Sequence, residues 1–167
     1  ITPNFAFNST GDWLLYEREG VTALDLESGE VISMPRGWRF NQFNFNWSPD
    51  GKFAAIGESD GRFFLFNAAT KSTSTILYNM VPYSSPNWAW SPDSKYVAIG
   101  ASDGSVLLLN TATFAITKSL PASASEATAL AFSPDGTQLG IGRTVGSVEL
   151  WQVETTNAPQ SLLPGHS

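Results

Sequence analysis

Proton carriers, nucleophiles and metal ligands do chemistry when they are held close together, and this chain spaces them poorly. His166 is the only histidine. That removes a His cluster for zinc and a general base for a Ser-His-Asp arrangement. No cysteine is present, so disulfides, thiolate ligands and cysteine nucleophiles are excluded together, and the redox compartment stays open. Glu58 and Asp60 come near a calcium-loop spacing, but the twelve-residue pattern with its terminal Glu is missing. Gly57-Glu58-Ser59-Asp60-Gly61 lacks the Lys-Ser/Thr of a phosphate loop, and its acids would repel phosphate. Glu17 and Glu19 share one face of a strand and would serve glycoside hydrolysis only across a sugar cleft. Asn8-Ser9-Thr10 spells a glycosylation acceptor, but it falls in an expected turn. The residues therefore predict a non-catalytic chain with no metal and no cofactor.

Recognition is what remains. Arg36, Trp38, Arg39 and Phe40 crowd one segment, and Tyr78, Met80, Tyr83 and Asn87 another. Arginine with tryptophan and tyrosine is the composition of interface hot spots. Arg18, Glu58 and Arg143 are expected on neighbouring turns of the same face, so the predicted partner is a protein or peptide. A net charge of −6 and a pI near 4.6 argue against nucleic acid, which needs phosphate-neutralising Lys and Arg. No run of 18 apolar residues exists to insert into a membrane. The chain opens at Ile1 rather than Met. A preceding segment is therefore expected, and the compartment stays open.

The elements that position these residues are set by a repeat. Trp47-Ser48-Pro49-Asp50-Gly51-Lys52 returns as Trp90-Ser91-Pro92-Asp93-Ser94-Lys95 and as Phe132-Ser133-Pro134-Asp135-Gly136-Thr137. An eroded first copy reads Phe7-Asn8-Ser9-Thr10-Gly11-Asp12, giving aromatic-to-aromatic steps of 40, 43 and 42 residues. Gly20, Gly61, Gly104 and Gly146 step by 41, 43 and 42. Two landmarks moving in register make a true repeat. Residues 47–70 and 90–113 are identical at 15 of 24 positions.

Within the second copy, Phe43, Phe45 and Trp47 alternate with Asn44 and Asn46, a period-2 strand. Ser48-Pro49-Asp50-Gly51 is a turn, Phe53 to Gly57 a buried apolar strand, and Ser59-Asp60-Gly61 a tight hairpin. Arg62 to Asn67 and Thr73 to Leu77 complete four strands, and no stretch has helical periodicity. A four-stranded unit is too thin to bury both faces, so neighbours must stack; around an axis that gives an all-β propeller. Approximate blades are 1–36, 37–79, 80–121 and 122–164, with 165–167 starting a further repeat. Trp47, Trp90, Phe132 and Trp151 recur in register and are expected in the core.

This pattern resembles WD40 repeats. The dipeptide that names the family falls at Leu24-Asp25, Phe66-Asn67, Leu109-Asn110 and Trp151-Gln152, and its Gly-His occurs once, at Gly165-His166. The Ser-Pro-Asp-Gly turns are also similar to those of TolB-like propellers. A WD40 resemblance implies a protein-interaction scaffold or sensor module whose loops hold partners. It leaves open an accessory propeller beside a hydrolase or peptidase, or a TolB-like periplasmic component. Such propellers resemble rings of seven or eight blades, so this chain is expected to be part of a larger ring, completed by the rest of its own propeller or a second copy. Typical blades bury a His, Ser/Thr, Asp and Trp network. Here Ile56, Ile99 and Ile141 stand at the Ser/Thr place, and apolar packing is expected to replace the network.

Overall fold

Each repeat is organised by a turn whose side chains stand in for missing backbone partners. Ser48 Oγ donates to Asp50 (2.6 Å) and accepts from the Phe53 amide (3.0 Å), while Asp50 accepts from the Lys52 amide (3.2 Å). Ser91 with Asp93 and Ser133 with Asp135 repeat the arrangement at 2.7 and 2.6 Å. In the eroded first copy Asn8 takes over from the serine. Its Oδ1 accepts from the amides of Gly11 and Trp13, both at 3.0 Å, and its Nδ2 donates to Asp12 at 2.7 Å. Asn8 is thus buried and committed to a turn, as expected of that segment, and is not placed as a sugar acceptor. Gly11, Gly51 and Gly136 supply the left-handed backbone (φ 78°, 72° and 73°); Ser94 adopts it at 61°.

The computed structural model describes residues 5–17, 20–34, 43–58, 61–77, 87–123, 125–154, 159 and 161–163. Contacts divide the chain into two compact units, Ile1–Tyr78 and Asn79–Ser167. The first holds two antiparallel sheets. One runs β1 (Phe5–Phe7), β2 (Trp13–Glu17), β3 (Val21–Asp25), β4 (Val31–Ser33). The other runs β5 (Phe43–Trp47), β6 (Phe53–Glu58), β7 (Phe63–Asn67), β8 (Ser72–Leu77). The second unit has β9 (Trp88–Trp90), β10 (Tyr96–Gly100), β11 (Val106–Asn110), β12 (Ile116–Leu120), then β13 (Ala127–Phe132), β14 (Gln138–Arg143), β15 (Val148–Gln152), β16 (Ser161–Leu163). Strands pair in chain order within all four sheets, and the described residues contain no helix. The expected four four-stranded units are present.

The last residue of the third strand closes the next turn. Asp25 Oδ1 accepts from the amides of Glu27 and Ser28 (3.0 and 3.2 Å). Asn67 does the same for Ala69 and Thr70 (2.9 and 3.1 Å), and Asn110 for Ala112 and Thr113 (both 3.0 Å). The chain then passes through a left-handed residue at Gly29, Lys71 or Phe114.

Alternation gives each sheet two apolar faces. In the first unit, Trp13, Leu15, Val21 and Ala23 of one sheet pack on Phe45, Trp47, Ile56, Phe64 and Phe66 of the other. In the second unit, Ala98, Val106, Leu108 and Leu120 meet Leu139, Ile141 and Trp151. Burying each large side chain stabilises by about 1.5–3 kcal/mol. Ile56, Ile99 and Ile141 are at most 1% exposed, so apolar packing does occupy the Ser/Thr place. Trp47 and Trp151 are buried, whereas Trp90 and Phe132 are half-buried.

Candidate partner-binding face

The hairpins linking second to third strands in the second, third and fourth sheets share one geometry. The amides of Glu58, Ala101 and Arg143 bond the carbonyls of Arg62, Ser105 and Ser147, each at 2.9 Å. Gly61, Gly104 and Gly146 return a bond to the same first residue with φ of 89°, 81° and 80°. Glu58, Ala101 and Arg143 therefore occupy one structural position with three different side chains. Asp103 stays a turn residue, accepting from the amide and hydroxyl of Ser105 (2.9 and 2.6 Å). That hydroxyl is the main reason its carboxyl is held below the usual range.

Of the sequence-predicted binding residues, Glu58 and Arg143 are described and both are buried, at 5% and 4% exposed. Glu58 is bonded to Arg62, whose guanidinium lies 5.5 Å from the centre of the Phe64 ring. Arg143 grips Glu149 as a fork, Nε to Oε1 at 3.0 Å and Nη2 to Oε2 at 2.9 Å. Its Nη1 donates to the carbonyls of Gly104 (2.6 Å) and Ser125 (3.2 Å), tying the fourth sheet to the third sheet's hairpin and to the segment between them. Trp151 Nε1 completes the cluster, donating to Glu149 Oε2 at 2.8 Å. Burial pushes the Glu149 carboxyl upward, but the Arg143 and Trp151 bonds and the Arg143 charge outweigh it, leaving it below its ordinary value. A Cβ on Gly104 would lie 2.3 Å from the Ser123 carbonyl, so this junction accepts no side chain there.

Asn87 is also buried: it donates to the Ala127 carbonyl, and its own carbonyl accepts from the Gly100 amide at 2.8 Å. Arg18, Arg36, Trp38, Arg39, Phe40, Tyr78, Met80 and Tyr83 lie outside the described residues. Sequence reasoning missed Glu149. The signal was its register: pairing places it where the second sheet has Phe64 and the third Leu107, so a carboxylate there had to find a buried partner.

At the opposite end of the second unit, the Ser-Pro-Asp turns flank a groove of about 250 Å³ lined by Asp93, Tyr96, Asp135, Gln152 and Glu154, among others. Bonds from Ser133 and then Thr137 hold the Asp135 carboxyl at about 2. Among the described residues, no three His, Asp or Glu side chains are grouped to hold a metal ion. No helix there is long and apolar enough to cross a membrane.

Residues 90–165 match the family model for the anaphase-promoting complex subunit 4 WD40 domain. That match spans less than half of the chain, whose second unit is thus similar to the WD40-repeat family. The fold of the chain is that of a WD40 β-propeller: a chain in the solved structure titled "Crystal Structure of Mitotic Checkpoint Complex" superposes with a TM-score of 0.65 at 18% identity. That match covers 90% of this chain and 46% of the other, so the present chain spans less than half of that chain's length. No curated protein matches the sequence. WD40 propellers serve in general as protein-interaction scaffolds.

Proposed function

We propose that this chain is a non-catalytic scaffold that holds a protein or peptide through the segments joining its sheets. Arg36, Trp38, Arg39, Phe40 and Tyr83 are the direct contacts. Arg18 is a contact on a neighbouring hairpin, while Glu58 and Arg143 act as positioning residues that fix hairpin shape from below. One observation carries this reading. Asn87, Glu58 and Arg143, which the sequence places beside this face, are buried and engaged within their own units. Specificity is thereby left to Arg, Trp and Tyr that the repeat does not require. The blades proposed are 1–36, 37–79, 80–121 and 122–164.

The test is affinity capture from the source organism's lysate with the wild-type chain, Trp38→Ala and Arg39→Glu. A partner held by wild type and lost from both variants, with unchanged thermal melting, is the expected result. Retention of that partner by both would remove this segment from consideration.

A further inference from the structure

We propose that the groove between the Ser-Pro-Asp turns of the third and fourth sheets receives the lysine side chain of a partner protein. The groove lies at the end of the second unit away from the hairpins, so this site is separate from the contacts proposed above. Its walls belong to neighbouring sheets whose facing sides are buried against each other, and it opens at the end of that seam. At about 250 Å³ it is far larger than a water or a bare ion needs. Tyr96 lines one side, and the carboxylates of Asp93, Asp135 and Glu154 line the rest with Gln152.

These walls are fixed from behind. The Val153 amide donates to the Thr137 carbonyl at 2.9 Å, and Lys118 Nζ donates to the carbonyls of Gln152 and Val153 at 3.2 and 3.0 Å. Asp93 is paired with Lys95 at 3.0 Å, and Glu154 is within electrostatic reach of the same ammonium. Among the described residues, neither Asp135 nor Glu154 has a salt-bridge partner.

The first unit shows what such a gap holds. Trp13 and Tyr96 each begin the second strand of the earlier sheet in their unit, and each meets the turn after the third strand of the later sheet. In the first unit that turn supplies Lys71. Its Nζ lies 5.7 Å from the centre of the Trp13 ring and donates to Asp25 (2.9 Å) and Glu30 (2.6 Å). Trp13 is buried there, whereas Tyr96 is half-buried. Asn8 Nδ2 also reaches the Gly51 carbonyl at 3.2 Å, joining the two turns of the first unit; Ser91 is shorter and bonds Asp93 instead. In the fourth sheet the corresponding turn carries Val153 and Glu154, and residues 144–167 contain no lysine or arginine. The carboxylates now come from the later sheet, as Asp135 and Glu154, where the first unit draws Asp25 and Glu30 from the earlier one. A ring and two carboxylates filled by the chain's own ammonium in one unit thus stand open in the other. A lysine lays its alkyl stem along the ring and its ammonium among the acids.

Nuclear magnetic resonance titration of the full chain with the peptide acetyl-Gly-Lys-Gly-amide tests this. Saturable shifts of the Gly136 backbone amide and the Gln152 side-chain amide are expected in the millimolar range, and none with the same peptide acetylated on its lysine. Asp135→Asn combined with Glu154→Gln is expected to weaken binding about 10-fold or more. Asparagine keeps the acceptor oxygen that the Thr137 amide uses at 3.0 Å, and unchanged thermal melting checks that the variant is folded. A wild type with no saturable shift, an equal response to the acetylated peptide, or a folded double variant that binds like wild type would each overturn the proposal.

Discussion

The two units join their sheets at the same register with opposite chemistry. In the first, Trp13, Trp47 and Phe66 pack with ring centroids 5.3–6.5 Å apart, and Trp47 Nε1 finds the Ala6 carbonyl at 3.0 Å. In the second, Glu149 stands at the position of Phe64 and Trp151 at that of Phe66, with Arg143 filling the ionic demand. The scaffold accepts a ring or a carboxylate at one position, provided that every polar group buried with it is satisfied. An aromatic seam is non-directional and tolerant. The ionic seam is directional and fails if one member is removed.

The largest break in this comparison is expected from Glu149→Ala. It strands Arg143, whose side chain is 1% exposed, and should cost about 3–5 kcal/mol in urea unfolding. Replacing the pair together, Arg143→Met with Glu149→Phe, brings the second seam toward the chemistry of the first and should recover most of that loss. A double variant as unstable as the single one would show that the carbonyls of Gly104 and Ser125 and the Trp151 indole N–H cannot forgo their charged partners. Trp47→Ala in the aromatic seam should cost about 3–4 kcal/mol through a cavity. No paired substitution is expected to rescue it.

Acid sharpens the contrast. Glu149 is held below its ordinary value, so its stabilisation is present above that value and is lost as pH falls through the folded one. Thermal melting from pH 7 down to about 3 should drop less for the double Met/Phe variant than for wild type. The smallest effect is expected from Lys71→Met. It removes the bonds to Asp25 (2.9 Å) and Glu30 (2.6 Å), but these groups are partly exposed and screened by solvent, so its drop in thermal melting should be the least of the series.

The turns were legible in the sequence because their chemistry is local. Ser48, Asp50 and Gly51 act within five residues of one another, and the four-strand unit follows from them. Asn8 was harder: its turn lost the serine, yet a carboxamide of similar reach does the same work. Arg143 was not legible. It sits in a hairpin that reads as surface, and its burial is decided by Gly104 and Ser125, 39 and 18 residues away. Period and alternation carry no information on contacts at that separation. The recognition residues Arg36 to Phe40 and Tyr83 belong to segments that the repeat leaves unconstrained, so their composition is the only signal they give.

The oxygen at the end of the third strand has a consequence for how such repeats are recognised. Asp25, Asn67 and Asn110 do the same thing with different charges: each accepts from the amides two and three residues further on. At the second letter of the repeat's signature the turn uses the distance from Cα to an acceptor, which a carboxylate or a carboxamide supplies equally. Gln152 exceeds that distance by one methylene. Profiles that score the position by side-chain length would find diverged blades that profiles scoring it as acidic pass over.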